Sequence, residues 1–181
     1  QGRSAVTGAY LLMAGKSGEP LAFIDGQALT RWRTAATSAL ASTYLSRADA
    51  TRMLMVGAGT LAPALISAHA AVRPLSQVLI WNRSAGRAER LARSMAGRPF
   101  SVSATDDLEG AVRGADIISC ATLAGSPLIS GAWLRPGSHL DLVGSYRPDM
   151  READDEAVLS RIMGEFRRVM LQVDADLSLP F

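Results

Sequence analysis

An apolar strand that runs into a glycine turn and then a helix leaves a chain few folds to choose from. Residues 53–62, Met53-Leu54-Met55-Val56-Gly57-Ala58-Gly59-Thr60-Leu61-Ala62, have that form. Gly57 permits the tight turn, Gly59 lets a pyrophosphate approach the backbone, and Ala62 allows close helix–strand packing with the helix N-terminus facing the phosphate. The same alternation continues on the C-terminal side. Arg52–Val56, Gln77–Trp81, Phe100–Ser103, Asp116–Ser119 and Ser138–Val143 read as strands, and helices are predicted at Thr60–Val72, Ala85–Met95 and Asp106–Arg113.

Right-handed crossovers would lay these strands in one parallel sheet with helices on both faces. The expected fold class is therefore α/β, a Rossmann-type doubly wound sheet over residues 49–145. The flanks do not continue the series. Ala9–Ala14 and Pro20–Ile24 around Gly15-Lys16-Ser17-Gly18 read as a β-hairpin, closed by Asp25-Gly26. A helix from about Leu29 to Leu45 should follow, with Trp32, Ala35, Ala36, Ala39, Leu40, Thr43 and Tyr44 as its inward face. Two strands are not stable alone in water, so residues 1–48 and 146–181 are expected to be parts of a second α+β domain, the latter as a return segment. With no initiator methionine, the chain is expected to be incomplete.

Composition narrows the function. At 181 residues, 48% hydrophobic and 20% charged, disorder and fibrous structure are excluded. No run reaches the ~18 apolar residues of a membrane span, and Gln1-Gly2-Arg3-Ser4 does not open a signal peptide, so a cytoplasmic protein with no membrane partner is expected. A single cysteine, Cys120, excludes an intramolecular disulfide and reads as buried filler; two histidines offer little for a metal site. His69 and His139 read as packing residues, and Asp154-Asp155-Glu156 as the acidic start of a helix over Glu156–Met163. Residues 1–98 carry twelve Lys/Arg against four Asp/Glu, and residues 99–181 seven against thirteen. The basic half should attract anions. Its arginines are scattered among apolar residues and only 6% of the chain is aromatic, which favours a small phosphorylated ligand over nucleic acid.

The end of the second strand of the series bears on which dinucleotide. An NAD-selective site usually places Asp or Glu there; this chain has Asn82, followed by Arg83, Ser84 and Arg87. A neutral amide followed by two guanidiniums and a hydroxyl suits a 2′-phosphate, so NADPH is the expected cofactor and NADH the second choice. Cations at a helix N-terminus oppose the macrodipole and need a reason. Further candidate ligand contacts lie at carboxyl ends of later strands, in Ala121-Thr122-Leu123 and Val143-Gly144-Ser145-Tyr146. On the preceding helix, Arg33-Thr34 offers a cation suited to a carboxylate or a pyrophosphate.

These residues resemble the ornithine cyclodeaminase and mu-crystallin family over nearly the whole chain. The resemblance is carried by Gly18-Glu19-Pro20-Leu21 with Asp25-Gly26, Trp32-Arg33-Thr34-Ala35-Ala36, Val56-Gly57-Ala58-Gly59, Trp81-Asn82-Arg83-Ser84, Gly114-Ala115-Asp116-Ile117-Ile118, and Gly144-Ser145-Tyr146-Arg147-Pro148-Asp149-Met150-Arg151-Glu152. It implies a Rossmann domain with a second domain built from both chain ends, and a homodimer at full length. It also implies Arg33 on a substrate carboxylate and Thr34 near the cofactor, with Gly57, Ala58, Gly59, Thr60, Leu61, Asn82, Arg83, Ser84, Arg87, Thr122, Leu123, Val143, Gly144 and Ser145 in the cofactor site. The family's cyclodeaminases carry an aspartate where this chain has Tyr146, which turns the expectation from ornithine cyclisation toward reduction of cyclic ketimines. The expected substrates are Δ1-pyrroline-2-carboxylate and Δ1-piperideine-2-carboxylate, giving L-proline and L-pipecolate. A cyclodeaminase or amino-acid dehydrogenase of the same family, and a non-catalytic NADPH-binding protein, are the alternatives. The family's N-terminal segment, with a further arginine and a lysine for the substrate, is expected upstream of Gln1.

Overall fold

A computed structural model describes residues 7–145 and 147–164. Tyr146 and the tail Phe166–Phe181 lie outside the described residues. Strands β1 (Ala9–Met13) and β2 (Pro20–Asp25) pair antiparallel, as the hairpin pattern requires. Asp25 then caps helix α1 (Gly26–Leu45), its carboxylate accepting from the Ala28 amide at 2.7 Å. This cap starts the helix at Gly26, earlier than the expected Leu29.

Five strands follow: β3 (Arg52–Val56), β4 (Gln77–Trp81), β5 (Ser101–Thr105), β6 (Ile117–Cys120) and β7 (His139–Leu142). All pair in parallel in the order β5-β4-β3-β6-β7. Helices α2 (Ala62–Val72), α3 (Ala85–Ser94) and α4 (Leu108–Gly114) connect them, and α5 (Asp155–Gly164) follows β7. The predicted strands are all present, with ends within two residues. Helix α2 begins at Ala62, two residues later than expected, because residues 57–61 are spent on the glycine turn. The chain builds outward from β3 to β5 and then crosses back to β6, so the order reverses between β3 and β6, where ligands of such sheets bind.

Alternate residues of the central strands serve two cores. Met53, Met55, Val78, Ile80 and Ile117 pack with α2, α3 and Ala35 of α1. Leu54, Val56, Ile118, Cys120, Leu140 and Leu142 pack with α4 and α5 on the other face. With both faces covered, a strand such as Met53–Val56 is apolar throughout. No described helix is long and apolar enough to cross a membrane.

Helix α1 corrects the sequence reading. Its buried residues are Ala35, Ser38, Ala39, Ala41 and Ser42, whereas Trp32, Leu40 and Tyr44 are exposed, Tyr44 at 79%. Small side chains let α1 lie close against α2, and the large ones face away. The Arg73 guanidinium, at the end of α2, closes this contact by donating to the carbonyls of Ser42, Thr43 and Ser46 at the C-terminus of α1.

Candidate functional site

The glycine turn is wedged between the ends of two strands. The Gly57 amide donates to the Trp81 carbonyl at 2.8 Å, and a Cβ on Gly57 would stand 2.6 Å from the Ala121 carbonyl oxygen. Its φ of +107° also lies where side chains are disfavoured. Gly59, in contrast, has nothing within 4 Å of the Cβ position. One glycine serves the protein's own packing, and the other leaves backbone open to a ligand.

Around this turn lies a cleft of about 270 Å³ lined by Gly57, Ala58, Gly59, Trp81, Asn82, Arg83, Ser84, Arg87, Ala121, Thr122, Leu123, Ala124 and Leu128. Nine of the sequence candidates meet there: the three loop positions 57–59, the four around 82–87, and Thr122 with Leu123. Thr60 and Leu61 continue the loop into α2 without lining the cleft, and Val143, Gly144 and Ser145 follow β7 behind Thr122. Arg33 and Thr34 lie on α1, outside the cleft lining.

Asn82 has a structural task as well. Its Oδ1 accepts from the Ala58 amide at 3.1 Å and its Nδ2 donates to the Ser84 carbonyl at 3.0 Å, bracing the glycine turn against the end of β4. Arg83 and Arg87 are exposed at the start of α3, whose first turn holds no acidic residue. Neither side chain makes a hydrogen bond or ion pair among the described residues. Two unneutralised guanidiniums at the positive end of a helix suit an anion, and an open glycine beside them suits a pyrophosphate. The residues present fit an NAD(P)-type dinucleotide.

Sequence reasoning missed Glu152 as a site residue. It is fully buried, its Oε1 accepts from the Thr122 amide at 2.6 Å and the Thr122 hydroxyl at 2.7 Å, and its Oε2 accepts from the Gly144 amide at 2.8 Å. Its carboxylate joins the loops after β6 and β7. Only a glycine fits at 144, since a Cβ there would meet the Thr122 carbonyl oxygen at 2.2 Å. Ser145 is buried, with no hydrogen-bond partner for its hydroxyl among the described residues.

A second buried polar group lies under α1. Asp141 on β7 accepts from Ser38 of α1 at 3.0 Å and Ser119 of β6 at 2.7 Å, and pairs with His69 Nε2 of α2 at 3.3 Å. Burial alone would raise its pKa, but the His69 hydrogen bond and charge, the Ser119 bond and the His139 charge hold it below the ordinary carboxylate value. His139, a T-shaped neighbour of His69, has no hydrogen-bond partner at either ring nitrogen among the described residues. Burial pushes its pKa from 6.5 down to about 4, with His69 and Arg73 acting in the same direction against Asp141. The unfolded chain therefore takes up a proton near pH 6.5 that the folded protein refuses until about pH 4. Stability is complete above that window and is lost as pH falls through it. Urea unfolding should show a loss of about 2 kcal/mol between pH 7.5 and 5, and His139→Leu should flatten that slope. An unchanged slope in the variant would assign the acid sensitivity elsewhere.

Comparison with known proteins agrees with this architecture. The model of the ornithine cyclodeaminase/mu-crystallin family matches residues 1–170.

The chain belongs to the ornithine cyclodeaminase/mu-crystallin family.

Among its relatives, the Δ1-pyrroline-2-carboxylate reductase of Paracoccus denitrificans is 40% identical over 183 residues, covering 99% of this chain and 58% of that protein. The solved structure of the Thermococcus litoralis Δ1-pyrroline-2-carboxylate reductase, in complex with NADH and L-proline, matches with a TM-score of 0.78 and 33% identity, over 82% of this chain and 46% of that one. An archaeal alanine dehydrogenase dimer with bound NAD matches with a TM-score of 0.80 and 26% identity, over 86% and 48%. The chain spans about half the length of the curated relatives it matches.

Proposed function

We propose that the protein of which this chain is part is an NADPH-dependent ketimine reductase acting on Δ1-pyrroline-2-carboxylate or Δ1-piperideine-2-carboxylate, giving L-proline or L-pipecolate. The observation that carries the reading is the cleft in which an open Gly59 backbone lies beside the unneutralised Arg83 and Arg87. The named reductase relatives supply the substrate class. A bound nicotinamide would supply hydride to the C=N carbon. The chain's own residues would bind and orient: Gly57–Gly59 the pyrophosphate, Arg83, Ser84 and Arg87 the 2′-phosphate, and Arg33 of α1 the substrate carboxylate. The test is oxidation of NADPH on mixing protein and cyclic imine; conversion of ornithine with no imine reduction would overturn the reading in favour of a cyclodeaminase.

The cofactor preference has its own test. A charge-assisted hydrogen bond to the 2′-phosphate is worth about 1.5–3 kcal/mol, so Arg83→Ala should weaken NADPH about tenfold or more in calorimetry and leave NADH nearly unchanged. Equal losses for both would show that Arg83 supports the fold.

A homodimer is part of the same reading. Phe23, Trp32, Leu40 and Tyr44 together with Tyr10 to Met13 give the hairpin and α1 an exposed apolar surface, which a second copy of the chain would cover. The proposed division at residues 48/49 then assigns the hairpin and α1 to a second domain that grips substrate beside the 49–145 cofactor domain, with 146–181 as the return segment towards it. A cytoplasmic location accompanies this function, in keeping with a lone, buried cysteine.

A further inference from the structure

We infer that Glu152 is a positioning residue for the nicotinamide half of the dinucleotide, acting through the two loops it ties together. The inference rests on the reading that the cleft binds NADPH. Arg83 and Arg87 follow β4 on one side of the glycine turn, and β6 and β7 lie on the other. A dinucleotide with its 2′-phosphate at those arginines and its pyrophosphate at Gly59 extends its remaining half over the ends of β6 and β7. The wall it meets there is the loop that Glu152 holds.

The geometry is tightly specified. Thr122 gives both its amide and its hydroxyl to one oxygen of Glu152, Gly144 gives its amide to the other, and the Thr122 Cγ2 is 3.2 Å from the Cβ position of Gly57. Glu152 therefore sets the distance between the two loops and, through Thr122, between them and the glycine turn. Its main chain is itself held in place. The Leu128 and Ile129 amides both donate to the Glu152 carbonyl at 2.9 Å, the Arg151 amide donates to the Ala124 carbonyl at 2.7 Å, and the Asp154 amide donates to Ile129 at 3.0 Å. The segment after β7 is strapped across the loop after β6, and the strap delivers a carboxylate to three donors inside the protein. Because these donors are bound to Glu152, they shape the wall while leaving Leu123 and Ala124 to face the cleft.

Two ligands separate positioning from general folding. Adenosine 2′,5′-bisphosphate occupies the arginine side alone, whereas NADPH spans both sides. Glu152→Gln keeps the side chain's size but sets an amide NH2 against backbone N–H donors. In calorimetry it should weaken NADPH about tenfold or more and leave adenosine 2′,5′-bisphosphate within about twofold of the unaltered protein. Unchanged binding of both ligands, or equal loss of both, would overturn the positioning role while the cofactor reading stands. Failure of the unaltered protein to bind either ligand would overturn the cofactor reading and this inference with it. Should Glu152→Gln not fold, Thr122→Val removes one of the three bonds at nearly constant volume. A selective loss of NADPH in that variant, restored by Thr122→Ser, supports the role, and equal effects on both ligands overturn it.

Discussion

Alanine at Gly57 should cost both stability and ligand binding, and alanine at Gly59 should cost binding alone. At Gly57 the added methyl group meets the Ala121 carbonyl oxygen at 2.6 Å in a backbone conformation, φ +107°, that side chains rarely adopt. Strain of this kind costs about 1–3 kcal/mol before the displaced β6 loop is counted. At Gly59 the methyl group meets nothing within 4 Å, so the melting temperature should hold. On the proposed function it would stand where the pyrophosphate approaches, and loss of that contact should then weaken NADPH about a hundredfold, near 3 kcal/mol. Thermal unfolding and calorimetry on the pair check this. Wild-type NADPH affinity in Gly59→Ala would show that the open backbone does not face the phosphates.

Removing the Asp141 carboxylate should be the most destabilising change in the sheet. Asp141→Ala strands the Ser38 and Ser119 hydroxyls and the Nε2 of fully buried His69 with no acceptor. Each unsatisfied buried group costs about 1–3 kcal/mol, so the total for the three should reach at least about 3 kcal/mol, a large share of a typical domain's stability. Asp141→Asn, which keeps the shape and one acceptor, should cost clearly less. Urea denaturation at pH 7.5 measures both. A loss under about 1 kcal/mol in Asp141→Ala would mean that α1 does not depend on this network for its seat. Because Ser38 lies one turn beyond Thr34 on α1, the same network also sets where Arg33 sits relative to the sheet.

The βαβ order was legible because local chemistry repeats it: each strand is a short apolar run and each junction has its own punctuation. The glycine turn could be read residue by residue, since Gly57, Gly59 and Ala62 each answer a backbone requirement at a fixed offset. The arginines after Asn82 stand out for a similar reason, being cations where a helix start disfavours them, and the structure places both in the cleft lining. The inward face of α1 was misread because Trp32, Leu40 and Tyr44 are apolar at helical spacing, and hydrophobic periodicity does not say which partner a stripe faces.

By itself, then, the sequence determined the fold class, the position of the glycine turn and the cationic end of β4, all set by residues within a few positions of one another. Only the tertiary structure decided the rest. Glu152 meets Thr122 across 30 residues, and Asp141 meets Ser38 across 103. Neither acid stands out in sequence, because nothing near it in the chain needs a carboxylate. Their roles exist only once the parallel sheet brings the ends of β6 and β7 side by side and α1 lies against them, so that a buried charge and the donors that satisfy it come from separate parts of the chain.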